Sequence, residues 1–276
     1  MSSAAPPAGL YLHVPYCVST CPYCDFVVVA GAATRGPRSS IPRFLAAVEA
    51  ELVLRGDVLD ATWGPPGQRA ALDTLYLGGG TPSLLPPASI GRLIELVRDR
   101  FGLVADAEVT IEANPGPDER GDPAALRSAG VTRLSIGAQS LDDRALRQLG
   151  RRHRAADVGV AVRAARAAGL RSISLDLLYD LPGQTAAAWA RTLDAALSLE
   201  PDHLSLYALT LDDPEAEGLT GPTGDHLAPT PGARRWRARA RSAQDDDRAA
   251  ELYELADRRL AAAGFGWNEI SNWARP

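Results

Sequence analysis

The chain has 276 residues, a formal charge of −5, and 46% hydrophobic against 23% charged residues. That balance is ordinary for a globule able to bury one substantial core, and the mild acidity gives no reason to expect a nucleic-acid partner. All 29 basic side chains are arginine; without lysine, a Walker-type phosphate loop and Schiff-base chemistry are excluded.

Residues 1–9 hold neither a basic region nor an apolar run, so no signal peptide is expected, and no stretch reaches membrane-spanning length. A reducing cytoplasmic compartment is expected, where thiols stay available to metal. A first strand near 10–14 leads into Tyr11-Leu-His-Val-Pro-Tyr-Cys17-Val-Ser-Thr-Cys21-Pro-Tyr-Cys24-Asp-Phe26, which carries all three cysteines of the protein. Their spacing is C-x3-C-x2-C. Three thiolates so close suit a soft-ligand metal centre, with an iron–sulfur cluster the leading candidate. Three ligands for a four-iron cubane leave one iron open. The alternatives are weaker. Buried unligated cysteines seldom cluster this tightly. Zinc wants a fourth ligand, for which only His13 on the preceding strand is near. A disulfide would leave an odd thiol, and Pro15 and Pro22 argue against a helix over the motif.

Further along, helical periodicity near 42–55, 86–101, 123–129, 142–168 (broken) and 185–198 alternates with apolar runs near 73–78, 108–113, 133–139, 172–178 and 203–209. The clearest helix places Ile90, Leu93, Ile94, Val97 and Phe101 on one face, and another does so with Trp189, Leu193, Ala196 and Leu197. Strands separated by crossover helices predict parallel βα units. Each run also alternates at period two. One face carries Leu10/Leu12, Leu75/Leu77, Val109/Ile111, Leu134/Ile136, Ile173/Leu175 and Leu204/Leu206. The other carries Tyr11/His13, Thr74/Tyr76/Gly78, Thr110/Glu112, Ser135/Gly137/Gln139, Ser174/Asp176 and Ser205/Tyr207. With helices packed on the apolar side, the expected form is a curved parallel sheet with a polar lumen. That form is unlike the side-chain-filled interior of a closed eight-stranded barrel. From 211 to 246 the composition reads as a linker or exposed insertion. The arginine run around Trp236 within it reads as a solvated loop rather than a nucleic-acid surface. A helix near 247–263, with Leu252, Leu255, Ala256 and Leu260 on one face, precedes the closing string Phe265 to Pro276.

The cysteine motif resembles that of the radical S-adenosylmethionine (SAM) superfamily, and the longer string around it resembles the HemW branch. HemW proteins are haem chaperones related to oxygen-independent coproporphyrinogen III oxidase. The resemblance implies a partial (βα)6 barrel over 1–210 and the start of a truncated C-terminal α/β extension over 247–276, because the closing string matches the family just before its His-Asn-x-x-Tyr-Trp segment. It implies a [4Fe–4S] cluster on Cys17, Cys21 and Cys24, with SAM chelating the open iron and one electron splitting its sulfonium. Haem would be the cargo, with haem-accepting proteins and an electron donor as partners. The oxidase has a fourth cysteine at the position of Phe26 and a longer segment before the first strand, so both features favour the chaperone.

Several residues carry the implied SAM contacts. Tyr11 and Tyr23 belong to the signature string. Gly79, Gly80 and Thr81 lie in Gly78-Gly79-Gly80-Thr81-Pro82, where glycines allow close backbone approach and where a plain turn is the alternative. Glu112 lies on the lumen face, with a salt bridge across the barrel as the bland reading. Gln139 ends the fourth strand on the same face. Arg151 adjoins Arg152 and Arg154, so surface charge is its alternative. Asp176 sits within an apolar strand, where an unpaired carboxylate is rare. His13 and His153 recur in the family's wording without a derivable role.

Overall fold

The period-two strands pair side by side, and they do so in parallel and in chain order. The computed structural model describes residues 5–211, 218–220, 226 and 228–276. Its main strands and helices are β1 (Gly9–Val14), two short strands β2 (Tyr16–Cys17) and β3 (Val29–Ala30), α1 (Ile41–Trp63), β4 (Leu72–Gly79), α2 (Pro87–Phe101), β5 (Leu103–Ala113), α3 (Pro123–Ser128), β6 (Arg133–Gln139), α4 (Asp143–Gln148), α5 (Ala155–Ala167), β7 (Ser172–Tyr179), α6 (Ala186–Leu197), β8 (His203–Ala208), α7 (Pro231–Arg241), α8 (Asp246–Ala262), β9 (Gly266–Glu269) and β10 (Asn272–Ala274). The sheet order is β1-β4-β5-β6-β7-β8-β10-β9. All pairings from β1 to β8 are parallel, and β10 and β9 add on antiparallel. The result is a curled half-barrel with helices on its outer face.

Register fixes the two faces. Leu12 lies beside Leu77, Leu77 beside Ile111, Ile111 beside Leu134, Leu134 beside Ile173, and Leu175 beside Leu204. These side chains are buried under α2, α5 and α6. Each fully buried aliphatic side chain stabilises the fold by roughly 1.5–3 kcal/mol, so a one-residue slip, which would turn the whole row into the lumen, is strongly opposed. The helix faces read from periodicity hold: Ile90, Leu93, Ile94, Val97 and Phe101 are buried on α2, and Trp189, Leu193 and Ala196 on α6. The predicted break within 142–168 falls between α4 and α5. Asp142 caps α4 through the N–H groups of Arg144 and Ala145, and Gly150 takes a positive φ that ends the turn.

Two sequence expectations need correction. Helix α1 continues past Gly56 to Trp63. A glycine reads as a breaker, but here a Cβ at Gly56 would lie 3.0 Å from the Arg100 guanidinium, so the missing side chain makes room for a packed neighbour. The arginine run around Trp236 is not a solvated loop but α7. Thr230 caps it by accepting from the Ala233 N–H, Pro231 sits in its first turn, and Arg237 and Ala240 are buried. Residues 212–217, 221–225 and 227 of the stretch read as a linker lie outside the described residues. Helix α8 packs on the core, where the Trp189 indole donates to the Leu252 carbonyl at 3.0 Å, and β10 buries Trp273 completely. Among the described residues no helix is long and apolar enough to cross a membrane.

Candidate cluster and cofactor site

The cysteine loop leaves the C-terminal end of β1 and folds back over the neighbouring strand end. Its backbone is tied to the glycine run: the Gly80 N–H donates to the Val14 carbonyl at 2.8 Å and the Thr81 N–H to the Tyr16 carbonyl at 2.7 Å. Gly79 takes φ +115°, and a Cβ there would sit 2.5 Å from the His13 ring. Gly80 is tighter in consequence, because its Cβ would lie 2.7 Å from the Tyr16 carbonyl oxygen and 2.8 Å from the Pro15 carbonyl carbon. Backbone cannot yield there as a side chain would. Gly80→Ala is expected to lower the stability of the ligand-free protein by about 1–3 kcal/mol through overpacking, read as a lowered melting temperature. An unchanged melt would show that the loop moves freely.

Cys17, Cys21 and Cys24 are all free and half-buried. The Thr81 hydroxyl reaches the Cys17 sulfur at 3.7 Å, and the Arg151 guanidinium reaches the Cys21 sulfur at 3.5 Å. The turn closes where the Cys24 N–H donates to the Cys21 carbonyl at 3.2 Å. Burial pushes the Cys17 thiol up to about 11 and the Cys24 thiol to about 12. Among the described residues no three His, Cys, Asp or Glu side chains converge on a single-ion site. Ligands of a polynuclear cluster each meet a different iron and stand further apart than ligands of one ion.

Behind the cysteines lies a polar chain that sequence reading missed. Asn114, directly after β5, donates to the Thr81 hydroxyl at 3.0 Å and accepts from Arg151, which also donates to the Gly137 carbonyl at 2.8 Å. Thr81 and Arg151 thereby share one partner while each touches a different sulfur. The signal was an asparagine one step beyond a lumen strand and just before Pro115, where an extended residue is forced. Arg151 is therefore no surface charge, and its Nε is buried without a partner among the described residues. That leaves one donor for a ligand.

The lumen holds the remaining predicted residues on adjacent strands. Glu112 accepts from the Tyr76 hydroxyl at 2.8 Å and from the Gly79 N–H at 2.9 Å, rather than from an arginine across the barrel. Burial raises its carboxyl above the ordinary range. Asp176 accepts from the Ser135 hydroxyl at 3.1 Å and 3.2 Å, and burial, followed by the charge of Glu112, pushes it up to about 7. Two carboxylates on one concave wall repel each other, and among the described residues neither forms an ion pair, though the charge of Arg133 acts on Asp176 and that of His13 on Glu112. Gln139 ends β6 at φ +61°, beside a register shift. Tyr11 stands 53% exposed at the open sheet edge, its ring 6.0 Å from that of Tyr76, with its hydroxyl 3.1 Å from His13 Nδ1. His13 is a satisfied positioning histidine whose Nε2 meets the Val27 carbonyl at 2.8 Å. His153 is buried against the Ala138 carbonyl. Tyr23 is held between α7 and the cysteines: its ring lies 6.3 Å from that of Trp236, and its side chain hydrogen-bonds with Cys21 beside the Arg151 guanidinium.

The chain is similar to known proteins over most of its length. The family model for the radical SAM superfamily matches residues 11–196. A protein named heme chaperone HemW from Mycobacterium tuberculosis strain H37Rv is 42% identical over 98% of this chain and 63% of its own length. The Escherichia coli K12 protein of the same name is 35% identical over 98% of this chain and 64% of its own. The solved structure of coproporphyrinogen III oxidase (HemN) from Escherichia coli, described as a radical SAM enzyme, superposes with a TM-score of 0.77 at 27% identity. It covers 99% of this chain and 56% of that one. The chain thus spans less than two thirds of the length of these relatives.

Proposed function

Because the chain belongs to the radical SAM superfamily, we propose that it holds a [4Fe–4S] cluster on Cys17, Cys21 and Cys24, binds SAM in the adjoining lumen, and serves as a haem chaperone. The donor set fits the cluster: soft thiols on one loop, no competing disulfide, and a hydroxyl and a guanidinium directed at two of the sulfurs. When bound, the cluster supplies one electron to the SAM sulfonium.

The chain's own groups bind and orient. Gly79 and Gly80 let the backbone approach the amino-acid end of SAM. Glu112, held by the Tyr76 hydroxyl and the Gly79 N–H, and Asp176, held by the Ser135 and Ser205 hydroxyls, keep acceptor lone pairs for ribose hydroxyls or an ammonium group. The unpartnered Arg151 Nε offers a donor to a carboxylate; Gln139 lies with Arg151 around Gly137, and Tyr11 with Glu112 around Gly78. Residues 247–276 are taken as the opening of a C-terminal extension, and the chain's compartment as the cytoplasm.

The observation that carries the chaperone reading over the oxidase is Phe26. It occupies the place of the oxidase's fourth cysteine and stands 61% exposed, with no thiol to offer. The two HemW relatives support the same choice. The test is anaerobic reconstitution with iron and sulfide, followed by two assays on the same preparation. Haem titration should give a stable absorbance change and transfer to a haem-free acceptor protein. Incubation with coproporphyrinogen III, SAM and reductant should leave both propionates in place; decarboxylation with turnover would overturn the reading in favour of the oxidase.

A further inference from the structure

Helix α7 lies more than two hundred positions from the cysteine loop in sequence, yet it packs directly against it. Arg237 is only 6% exposed. Its Nε donates to the Pro22 carbonyl at 2.7 Å and its Nη2 to the Cys24 carbonyl at 2.8 Å. Those two carbonyls bracket Tyr23, within the turn that closes from Cys24 back to Cys21. A single guanidinium therefore grips the chain on both sides of Tyr23, within the segment that carries the last two cysteines.

Helix α7 is itself anchored. Trp236 and Ala240 join Leu149, Leu178, Leu181, Leu209, Leu211 and Tyr23 in a small apolar cluster separate from the main core. Arg241 donates to the Leu211 carbonyl at 2.6 Å. Arg248, at the start of α8, forms an ion pair with the buried Asp180 at the end of β7. A group held on a packed helix can fix a loop that would otherwise move.

We propose that Arg237 is a positioning residue for the cluster: with Arg151 on the sulfur side of the Cys21–Cys24 turn and Arg237 on its carbonyl side, the turn is held in ligand-ready form by two guanidiniums from segments distant in sequence. Arginine suits this place because its rigid fork satisfies two acceptors at once, which an ammonium on a flexible stem does not reproduce. Arg237 also brings a positive charge to the backbone of the cysteine turn, through the Pro22 and Cys24 carbonyls; charge there favours the more negative, reduced cluster, so it raises the midpoint potential.

The purpose assigned to the clamp rests on the cluster reading, but its existence is tested without metal. In the metal-free protein, amide hydrogen exchange over residues 17–25 should be about tenfold faster or more in Arg237→Gln, as expected when a charge-assisted bond is lost. The exposed Arg239→Gln should exchange like the parent chain. Arg237→Lys, which keeps charge and bulk but loses the fork, should exchange fast while its reconstituted cluster keeps a near-parental midpoint potential. The Arg237→Gln cluster should titrate at a lower one. Should Arg237→Gln not fold, Arg237→Lys alone decides the exchange result. Parental exchange rates in both variants, or an unshifted potential in Arg237→Gln, would overturn the proposal. Fast exchange in a chain that takes up no cluster would leave the clamp standing and remove the cluster reading instead.

Discussion

Serine at position 17, 21 or 24 is expected to reduce the iron and acid-labile sulfide of the reconstituted protein to a small fraction of the parent's, with each single substitution nearly as damaging as all three. The chain has three cysteines and no more, so no neighbouring thiol can substitute. A hydroxyl is a harder and far less acidic donor than a thiol. Half-buried serine is close in size to cysteine, so the metal-free melting temperature should change little, by under about 1 kcal/mol in stability. That contrast separates loss of a ligand from loss of a fold. Cys21→Ser should also release the Arg151 Nη1 that now faces sulfur at 3.5 Å, without disturbing its bond to the Gly137 carbonyl. Iron content, acid-labile sulfide and the Mössbauer spectrum read the outcome. Full cluster content in any one of the three variants, together with an undiminished spectral response to SAM, would falsify the assignment of the ligands.

Much of the scaffold was legible because two independent periods agreed. Strand alternation places the lumen residues and the 3.6-residue stripe places the helices over the opposite face, so the sequence alone sets Glu112 and Asp176 on one wall. The missing parts have local causes. Helix α7 offers few apolar anchors among five arginines, so its periodicity was drowned by charge. Its buried arginine satisfies carbonyls, a use that hydropathy cannot register. The β9–β10 hairpin carries an exposed Trp267 and a fully buried Trp273 at neighbouring positions, an alternation too short to distinguish from a loop. It joins the sheet beyond β8 through the pairing of Trp273 with Leu204. Asn114 lies two positions beyond Glu112, but its role depends on the meeting of three loops that are distant in sequence. The cysteine spacing was the strongest local signal. What it could not reveal was how the loop is held from behind.

Asp176→Asn should make the ligand-free protein more stable at pH 8 while weakening SAM binding by about tenfold or more, the loss expected for a removed charged acceptor. The stability gain follows from linkage. In the unfolded chain this carboxyl ionises near 3.8; in the folded chain burial, then Glu112, pushes it up to about 7. Between those values the unfolded state has released a proton that the native state keeps, so folding loses ground as pH rises and the full penalty is present above pH 7. At about 1.4 kcal/mol per pH unit the rise would be worth roughly 4 kcal/mol; discounted for a lumen wall open to water, about 2 kcal/mol is expected. Asparagine keeps an acceptor for the Ser135 hydroxyl and carries no charge. The difference between variant and parent should therefore be largest at pH 8 and vanish by about pH 4. His153 and His203, both lowered to about 4 by burial, act in the opposite sense, costing stability as pH falls from 6.5. Because they are common to both chains, they cancel in the difference curve. A pH-independent difference would show that Asp176 is an ordinary structural carboxylate. The expected curve together with the weakened SAM binding would show that this wall carries an unfavourable charge that a ligand, rather than the fold, uses.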